Sequence, residues 1–287
     1  LKLNKYIKKH NIKIIHAHSS SSFIAICVKI LNTKIKIIWH DHYGKRESLS
    51  NIDAFPLKLF SYFFFAIIVV NNKLKEWSLN KLYTKNVFFI RNFPVFNNKD
   101  TTTVLKGKEN KRIIHLAGYR SDKDHLNLLE AFLEISKKHS DWTLHLIGKS
   151  YNDGYSESIQ KFVKKENLSD RVFQYGVCSD IQHILSQATI GVLSSKSEGL
   201  PISLLEYGLA GLPVVATNVG ECNLIIKNPR FLVPSSNSAI LANALKFLID
   251  SEEKRINLAF DINKIVTSGF SKKETIFKII DIYKKEC

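Results

Sequence analysis

Short runs of consecutive apolar residues recur along the chain. Between them lie longer stretches in which apolar residues return every three or four positions. Apolar runs of this length, bounded by turn residues, read as buried strands, and the stretches between them as helices. The expected strands are Lys13–Ala17, Ile35–Trp39, Ile67–Val70 and Val87–Ile90. After them come Arg112–Gly118, Thr143–Ile147, Val172–Tyr175, Ile190–Ser194 and Leu212–Thr217. Helices are expected near Leu126–Lys137, Ser156–Glu166, Ser179–Gln187, Ile202–Ala210, Ser238–Asp250 and Lys272–Lys285. Strict alternation of this kind means parallel sheets covered by helices on both faces, an α/β doubly wound architecture. Asn92-Phe93-Pro94 ends the first part, and the polar stretch Asn97–Asn110 reads as a linker. The expected organisation is therefore a first domain over 1–94, a linker over 95–110 and a second domain over 111–271.

The segment Ser197-Glu198-Gly199-Leu200-Pro201-Ile202-Ser203-Leu204-Leu205-Glu206 carries the most chemistry. Pro201 suits the first helical position, where its missing N–H is no loss. Gly211 can take the left-handed stop, and Pro213 forbids continuation. The backbone N–H groups around Gly199 and Leu200 then sit at a helix start, which favours an anion. Gly199 lets a ligand approach the backbone closely. Glu198 precedes the helix and Glu206 lies about two turns into it, so the two carboxylates can address different parts of one ligand. The plain alternative is that Glu198 caps the helix and Glu206 is a solvated helical charge. The flanking apolar runs make the segment a strand, loop, helix, strand unit, whose ligands bind at the C-terminal ends of the strands.

Residues 194–221 (Ser-Ser-Lys-Ser-Glu-Gly-Leu-Pro through Leu-Leu-Glu-Tyr-Gly to Gly-Leu-Pro-Val-Val-Ala-Thr-Asn-Val-Gly-Glu) resemble the signature of glycosyltransferase family 4. These are retaining, nucleotide-sugar-dependent enzymes of the GT-B fold. The resemblance implies two Rossmann-like domains facing a cleft. It implies that Glu198 contacts the donor sugar, that Glu206 holds the ribose hydroxyls, and that Gly199, Leu200 and Pro201 line the phosphates. It also implies that the last helix, 272–287, packs back on the first domain. The likeness is looser before residue 110.

Three other places could carry chemistry. Arg120 and Lys123 follow a strand and precede a helix, where two cations would neutralise a leaving diphosphate. They resemble the family's Arg and Lys pair. Asp122-Lys123-Asp124 imitates an Asp-x-Asp metal motif, but its central lysine would repel a metal, and GT-B enzymes generally need none. His40-Asp41-His42 ends a strand, and the resemblance places a histidine there near the transferred sugar, with His42 favoured over His40. A metal reading of this tripeptide lacks further ligands at clear spacing. His16 and His18 end the preceding strand and read as structural or acceptor-side. Tyr175-Gly176 follows a strand that, in the family, leads to the nucleotide base, which the backbone of that loop would read. Thr189 stands where the family usually has an aspartate, a structural position.

Composition adds bounds. The excess of 42 basic over 26 acidic residues gives +16, which draws a chain to anionic surfaces. The charge looks compositional, since lysine is abundant throughout. It is nonetheless dense at the start: Lys2, Lys5, Lys8, Lys9 and Lys13, with Leu3 and Ile7 on an apolar side, suit an anionic membrane surface. No nucleic-acid-binding motif accompanies the charge. Cys27, Cys178, Cys222 and Cys287 have no paired spacing, which argues against a disulfide framework or zinc site and suits a reducing cytosol. Phe55–Val70 is short for a membrane span and reads as a buried helix running into a strand. The chain opens at Leu1 and holds no methionine. Against the family it is expected to be N-terminally truncated, with its first domain incomplete.

The reading is a retaining glycosyltransferase, cytoplasmic or peripheral on the inner face of the membrane. It moves a sugar from a UDP- or GDP-sugar to a glycan or lipid-linked acceptor, in bacterial surface polysaccharide synthesis. It needs no cofactor or metal beyond the nucleotide-sugar co-substrate and has no nucleic-acid partner. The alternative is a non-catalytic or incomplete GT-B nucleotide-sugar-binding module. A nicotinamide-dependent oxidoreductase would need a Gly-x-Gly-x-x-Gly run after a strand, and none exists.

Overall fold

A computed structural model of the protein describes residues 2–42, 49–96 and 102–285. Residues 97–101 of the expected linker and the last two residues of the expected C-terminal segment lie outside them. The chain divides into two units, Leu1–Asn92 with Lys273–Cys287, and Phe93–Lys272.

The first unit runs α1 (Lys2–Lys9), β1 (Ile14–His18), α2 (Ser22–Leu31), β2 (Lys36–Asp41), α3 (Asn51–Ser61), β3 (Phe64–Val69), α4 (Asn72–Lys81) and β4 (Val87–Phe89). Its four strands are parallel and lie in chain order. The period of two sorts their side chains onto two faces. Ile37, Trp39, Ile67 and Val69 pack on one face. Ile38, Ala66 and Ile68 pack on the other, against Ile282 of the last helix, Lys272–Lys284. Asn71 caps α4 by accepting from the Leu74 N–H at 2.7 Å. Three details differ from the expectations. Strand β2 extends to Asp41, so His40 lies inside the strand and not beyond it. Ile7 is buried in the core, so the apolar side of α1 faces inward; the exposed apolar residues of that helix are Leu3 and Tyr6. Helix α3 is half-exposed rather than buried, with Ala54 and Leu57 inside and Ile52, Phe55 and Leu59 outside.

The second unit runs β5 (Arg112–Leu116), α5 (His125–Ser136), β6 (Thr143–Ile147), α6 (Gly154–Lys165), β7 (Val172–Gly176), α7 (Ile181–Ser186), β8 (Ile190–Leu193), α8 (Ile202–Leu209), β9 (Val214–Thr217), β10 (Leu232–Val233), α9 (Ser238–Ile249) and α10 (Glu252–Gly269). All six strands are parallel, in the order β10-β9-β8-β5-β6-β7. The order reverses between β5 and β8. In doubly wound sheets ligands bind beyond the strand ends at that reversal. The core is aliphatic, with Ile113, Leu144, Val192 and Val215 from the sheet and Phe132, Leu204 and Leu245 from the helices. Thr189 proves structural: its hydroxyl accepts from the Arg112 N–H at 3.2 Å, tying the start of β8 to β5.

Candidate active site

Two loops meet at the strand reversal of the second unit. One follows β5 and holds Arg120 and Lys123; the other follows β8 and holds Glu198. Lys123 Nζ lies 2.6 Å from Glu198 Oε1, and both side chains are largely buried. The Ser195 hydroxyl donates to the same carboxylate oxygen at 2.6 Å. The loops are also laced through their backbones. The Ser194 hydroxyl donates to the Lys123 carbonyl at 2.9 Å, and the Lys196 N–H donates to the Asp122 carbonyl at 2.8 Å. Arg120 is more exposed and pairs with Asp122 at 3.4 Å, while Lys123 lies 3.9 Å from the same carboxylate. Asp124 takes a left-handed conformation and is engaged by Lys196 at 3.2 Å. Both carboxylates of Asp122-Lys123-Asp124 are thus held by cations, an arrangement that competes with metal ligation.

Helix α8 starts at Ile202 as expected, but Pro201 is not its first helical residue. Pro201 is the N-cap, with φ −71° and ψ 124°, and gives no side-chain cap to the first turn. A residue there has extended backbone, so its proline ring restrains the entry to the helix and not its first turn. The helix stops as expected. Gly211 has φ +72°; its N–H bonds to the Gly208 carbonyl and the Leu212 N–H to the Tyr207 carbonyl. That pair of bonds is a Schellman stop. Gly220, at φ +55°, lets the loop after β9 close on the Glu198 segment. A Cβ there would stand 2.3 Å from the Gly199 oxygen, and the Glu221 N–H bonds that oxygen at 2.8 Å.

Tyr207 fixes the rotation of α8. Its hydroxyl accepts from the Leu116 N–H at 2.6 Å and stands 3.3 Å from both the Ile114 and Val192 carbonyls. Gly191 leaves the space its ring needs, for a Cβ there would sit 2.9 Å from it. The neighbouring Glu206 is set one step round the helix from it. It lines a cavity of about 370 Å³ with Leu116–Gly118, Ile147–Lys149, Tyr151, Val177, Cys178 and Ile181, all at the C-terminal ends of β5, β6 and β7. Burial holds the Glu206 carboxyl above the usual carboxylate range.

The structure therefore joins Lys123 to Glu198 directly and Arg120 to Lys123 through Asp122. Glu206 stands on a separate cavity wall. Tyr175 does not line that cavity; its hydroxyl accepts from the Lys106 N–H at 3.0 Å and meets His145 Nδ1 at 3.0 Å. The Gly176 carbonyl accepts from Gly148 N–H at 2.8 Å. Val177 and Cys178, one step further along, form that wall instead. Ser195, Tyr207 and Gly220 were not singled out from the sequence. Gly220 was legible in principle as the glycine of a short loop after a strand; Ser195 and Tyr207 carry no local signal.

In the first unit, four histidines gather where β1 and β2 end. His18 pairs in register with His40. His18 Nδ1 lies 3.0 Å from His42 Nε2, and the His40 and His42 rings stack with centroids 4.1 Å apart. His16 Nδ1 meets the Tyr283 hydroxyl at 2.5 Å. Burial is the main cause that holds His42 and His16 down to about 4 and His40 to about 2, reinforced by neighbouring imidazoles. The sequence expectation for His42 thus lands in a cluster, with His40 from its own strand and His16 and His18 from the adjacent one.

Two parallel-sheet Rossmann-like units, one with a polar crevice at its strand reversal, define the GT-B class of glycosyltransferases. The chain belongs to the family described as Glycosyl transferases group 1, whose profile matches residues 96–260. It is similar to the UDP-Gal:alpha-D-GlcNAc-diphosphoundecaprenol alpha-1,3-galactosyltransferase of Escherichia coli, with 27% identity over 99% of this chain and 78% of that protein. It is also similar to the N-acetyl-alpha-D-glucosaminyl L-malate synthase of Bacillus anthracis, 23% identical over 98% of this chain and 77% of the relative. Among solved structures it shares the fold of Anabaena HepE in complex with UDP and glucose. The TM-score is 0.84 at 17% identity, covering 99% of this chain and 80% of that one.

Proposed function

We propose that this glycosyltransferase takes a sugar from a nucleoside diphosphate donor and transfers it, with retention, to a glycan or lipid-linked acceptor of bacterial surface polysaccharide synthesis. The observation that carries the reading is the Lys123–Glu198 contact at the strand reversal, flanked by the uncapped start of α8. In this reading Arg120, Lys123 and the backbone at Gly199–Pro201 stabilise the departing diphosphate. Such a stabiliser is worth roughly 3 kcal/mol of barrier. Glu198 addresses the donor sugar, and Glu206 takes the ribose hydroxyls inside its cavity. His42 keeps the role the resemblance gives it, beside the transferred sugar. Donor chemistry is proposed to run without a divalent ion at the diphosphate, because Asp122 and Asp124 are already paired with cations.

A uridine diphosphate sugar is the first donor to test, since the names of the Escherichia coli relative and of the HepE complex both carry UDP. The lipid-linked substrate in the name of the Escherichia coli relative supports work at the inner membrane surface. So do Lys2, Lys5, Lys8 and Lys9 on α1, beside exposed Leu3 and Tyr6. Among the described residues no helix is long and apolar enough to cross a membrane.

Thermal shift with UDP and GDP tests the donor reading. A nucleotide at a hundred times its Kd adds about 2.7 kcal/mol of stability. One of the two should raise the melting temperature, and Arg120→Ala with Lys123→Ala should abolish the gain. If neither nucleotide stabilises the chain, the donor assignment fails. Retention is tested by the anomeric configuration of the product in NMR.

A further inference from the structure

We propose that His16, His18 and His40 form a binding site for a borderline transition-metal ion of the zinc class. The site arises from two His-x-His runs on adjacent parallel strands. Register sets His18 beside His40 and His16 beside Ile38. The two-residue period then places all three imidazoles on one sheet face, the face covered by the last helix. Among the described residues these three form a group whose donor atoms all lie within 4.8 Å of one another. Nitrogens around a tetrahedral zinc ion stand about 3.3 Å apart, given bonds of about 2.0–2.1 Å. Binding would close that difference by rotation about side-chain bonds.

The hydrogen bonds around the cluster fit a metal site. A ligating histidine usually has its second ring nitrogen bonded to another group, which fixes its orientation. His16 Nδ1 is held by the Tyr283 hydroxyl at 2.5 Å, and His18 Nδ1 by His42 Nε2 at 3.0 Å. His16 Nε2 and both nitrogens of His40 are buried and without a hydrogen-bond partner. Buried polar atoms in that condition call for an explanation, and a shared cation supplies one. An all-nitrogen donor set selects zinc, copper, nickel or cobalt over magnesium and calcium, which take oxygen ligands. The ion would pin the ends of β1 and β2 and, through Tyr283, the last helix. Its role is structural, so the inference does not rest on the donor reading.

The test uses the full chain without a polyhistidine tag, stripped with chelator and dialysed. Cobalt(II) titration followed in the visible spectrum reads coordination, and zinc is measured by competition. One saturable equivalent is expected, with the intense bands of tetrahedral cobalt, and zinc should raise the melting temperature. His18→Ala changes an exposed side chain, and His40→Gln keeps a polar group of similar reach. Each should weaken zinc binding at least about tenfold, as loss of a supporting group alone does. His10→Ala, an exposed histidine outside the cluster, should change nothing. The absence of a stoichiometric equivalent, equal affinity in His18→Ala and His40→Gln, or displacement by magnesium would each overturn the proposal.

Discussion

Lys123 and Glu198, 75 positions apart in the chain, meet at 2.6 Å across the strand reversal of the second unit. Glu198 also accepts from Ser195, so its carboxylate has one cationic partner and one hydroxyl partner. Breaking a buried pair by removing one partner costs about 3–5 kcal/mol when fully buried. These side chains keep some exposure, so about 1–3 kcal/mol is expected for Lys123→Ala. The double variant with Glu198→Gln should recover part of it. Urea unfolding of the four members of the cycle measures the coupling; strict additivity would mean that the contact holds nothing together.

Glu206 and Glu198 should separate kinetically. Glu206→Gln is expected to raise KM for the donor roughly ten- to hundredfold, the range for a lost charged hydrogen bond, with kcat little changed. Glu198→Gln should lower kcat more than it raises KM. Wild-type kinetics in both variants would remove the two glutamates from the donor site.

Glu206 also carries a stability signature. Its folded carboxyl titrates above the ordinary 4.5 because burial disfavours the charge. Wild-type stability therefore falls as pH rises from 4.5 to the folded value, and stays lower above it. Glu206→Gln should be more stable than wild type at pH 7 and equal to it below pH 4.5. Melting curves across that range check the sign.

Three buried histidines of the second unit act in the opposite direction. Burial, the largest cause for each, lowers His115 to about 4, His145 to about 3 and His125 to about 2. The unfolded chain takes up protons below its ordinary 6.5 while the folded unit does not. Stability is full above 6.5 and lost as pH falls toward the folded values. Each histidine should cost about 1.3 kcal/mol between pH 7.5 and 5.5, or about 4 kcal/mol together. Native-state hydrogen exchange of the β5 and β6 amides measures it, and a pH-independent opening energy would contradict it.

Gly220→Ala should destabilise the second unit by about 1–3 kcal/mol and loosen donor binding. Both a left-handed backbone and two carbonyl oxygens, at 2.3 and 2.4 Å, oppose the added methyl. A variant with native melting temperature and donor affinity would show that the loop yields freely.

Where a short apolar run is bounded by turn residues, the sequence was readable. Thr143–Ile147 is a strand with the bounds its apolar run suggests, and α8 ends at Gly211 because a left-handed stop needs a glycine. Helix α10 escaped notice although its signals were present. Ser251 caps it, Glu252 and Glu253 fill its first turn, and Leu258, Ile262 and Val266 recur every four residues. Of the site, the loops were legible and the contacts were not. Nothing local says that Lys123 turns toward Glu198, because the meeting depends on β5 and β8 being neighbours. The histidine cluster was hidden likewise: His16 and His40 become neighbours through strand register, which no spacing within either run encodes.

Strands β5 and β8 pair at Ile113 with Ile190 and Ile114 with Gly191, and the Tyr207 hydroxyl serves the Leu116 N–H. His115 Nδ1 likewise meets the Val192 carbonyl at 3.0 Å. Side chains thus take up backbone groups just where the sheet forks. A ligand arriving beyond the strand ends need not rupture these bonds. Its capture should be governed by diffusion and by the pull of the lysines and arginine, with an on-rate that drops as salt is added and varies little with the stability of the sheet.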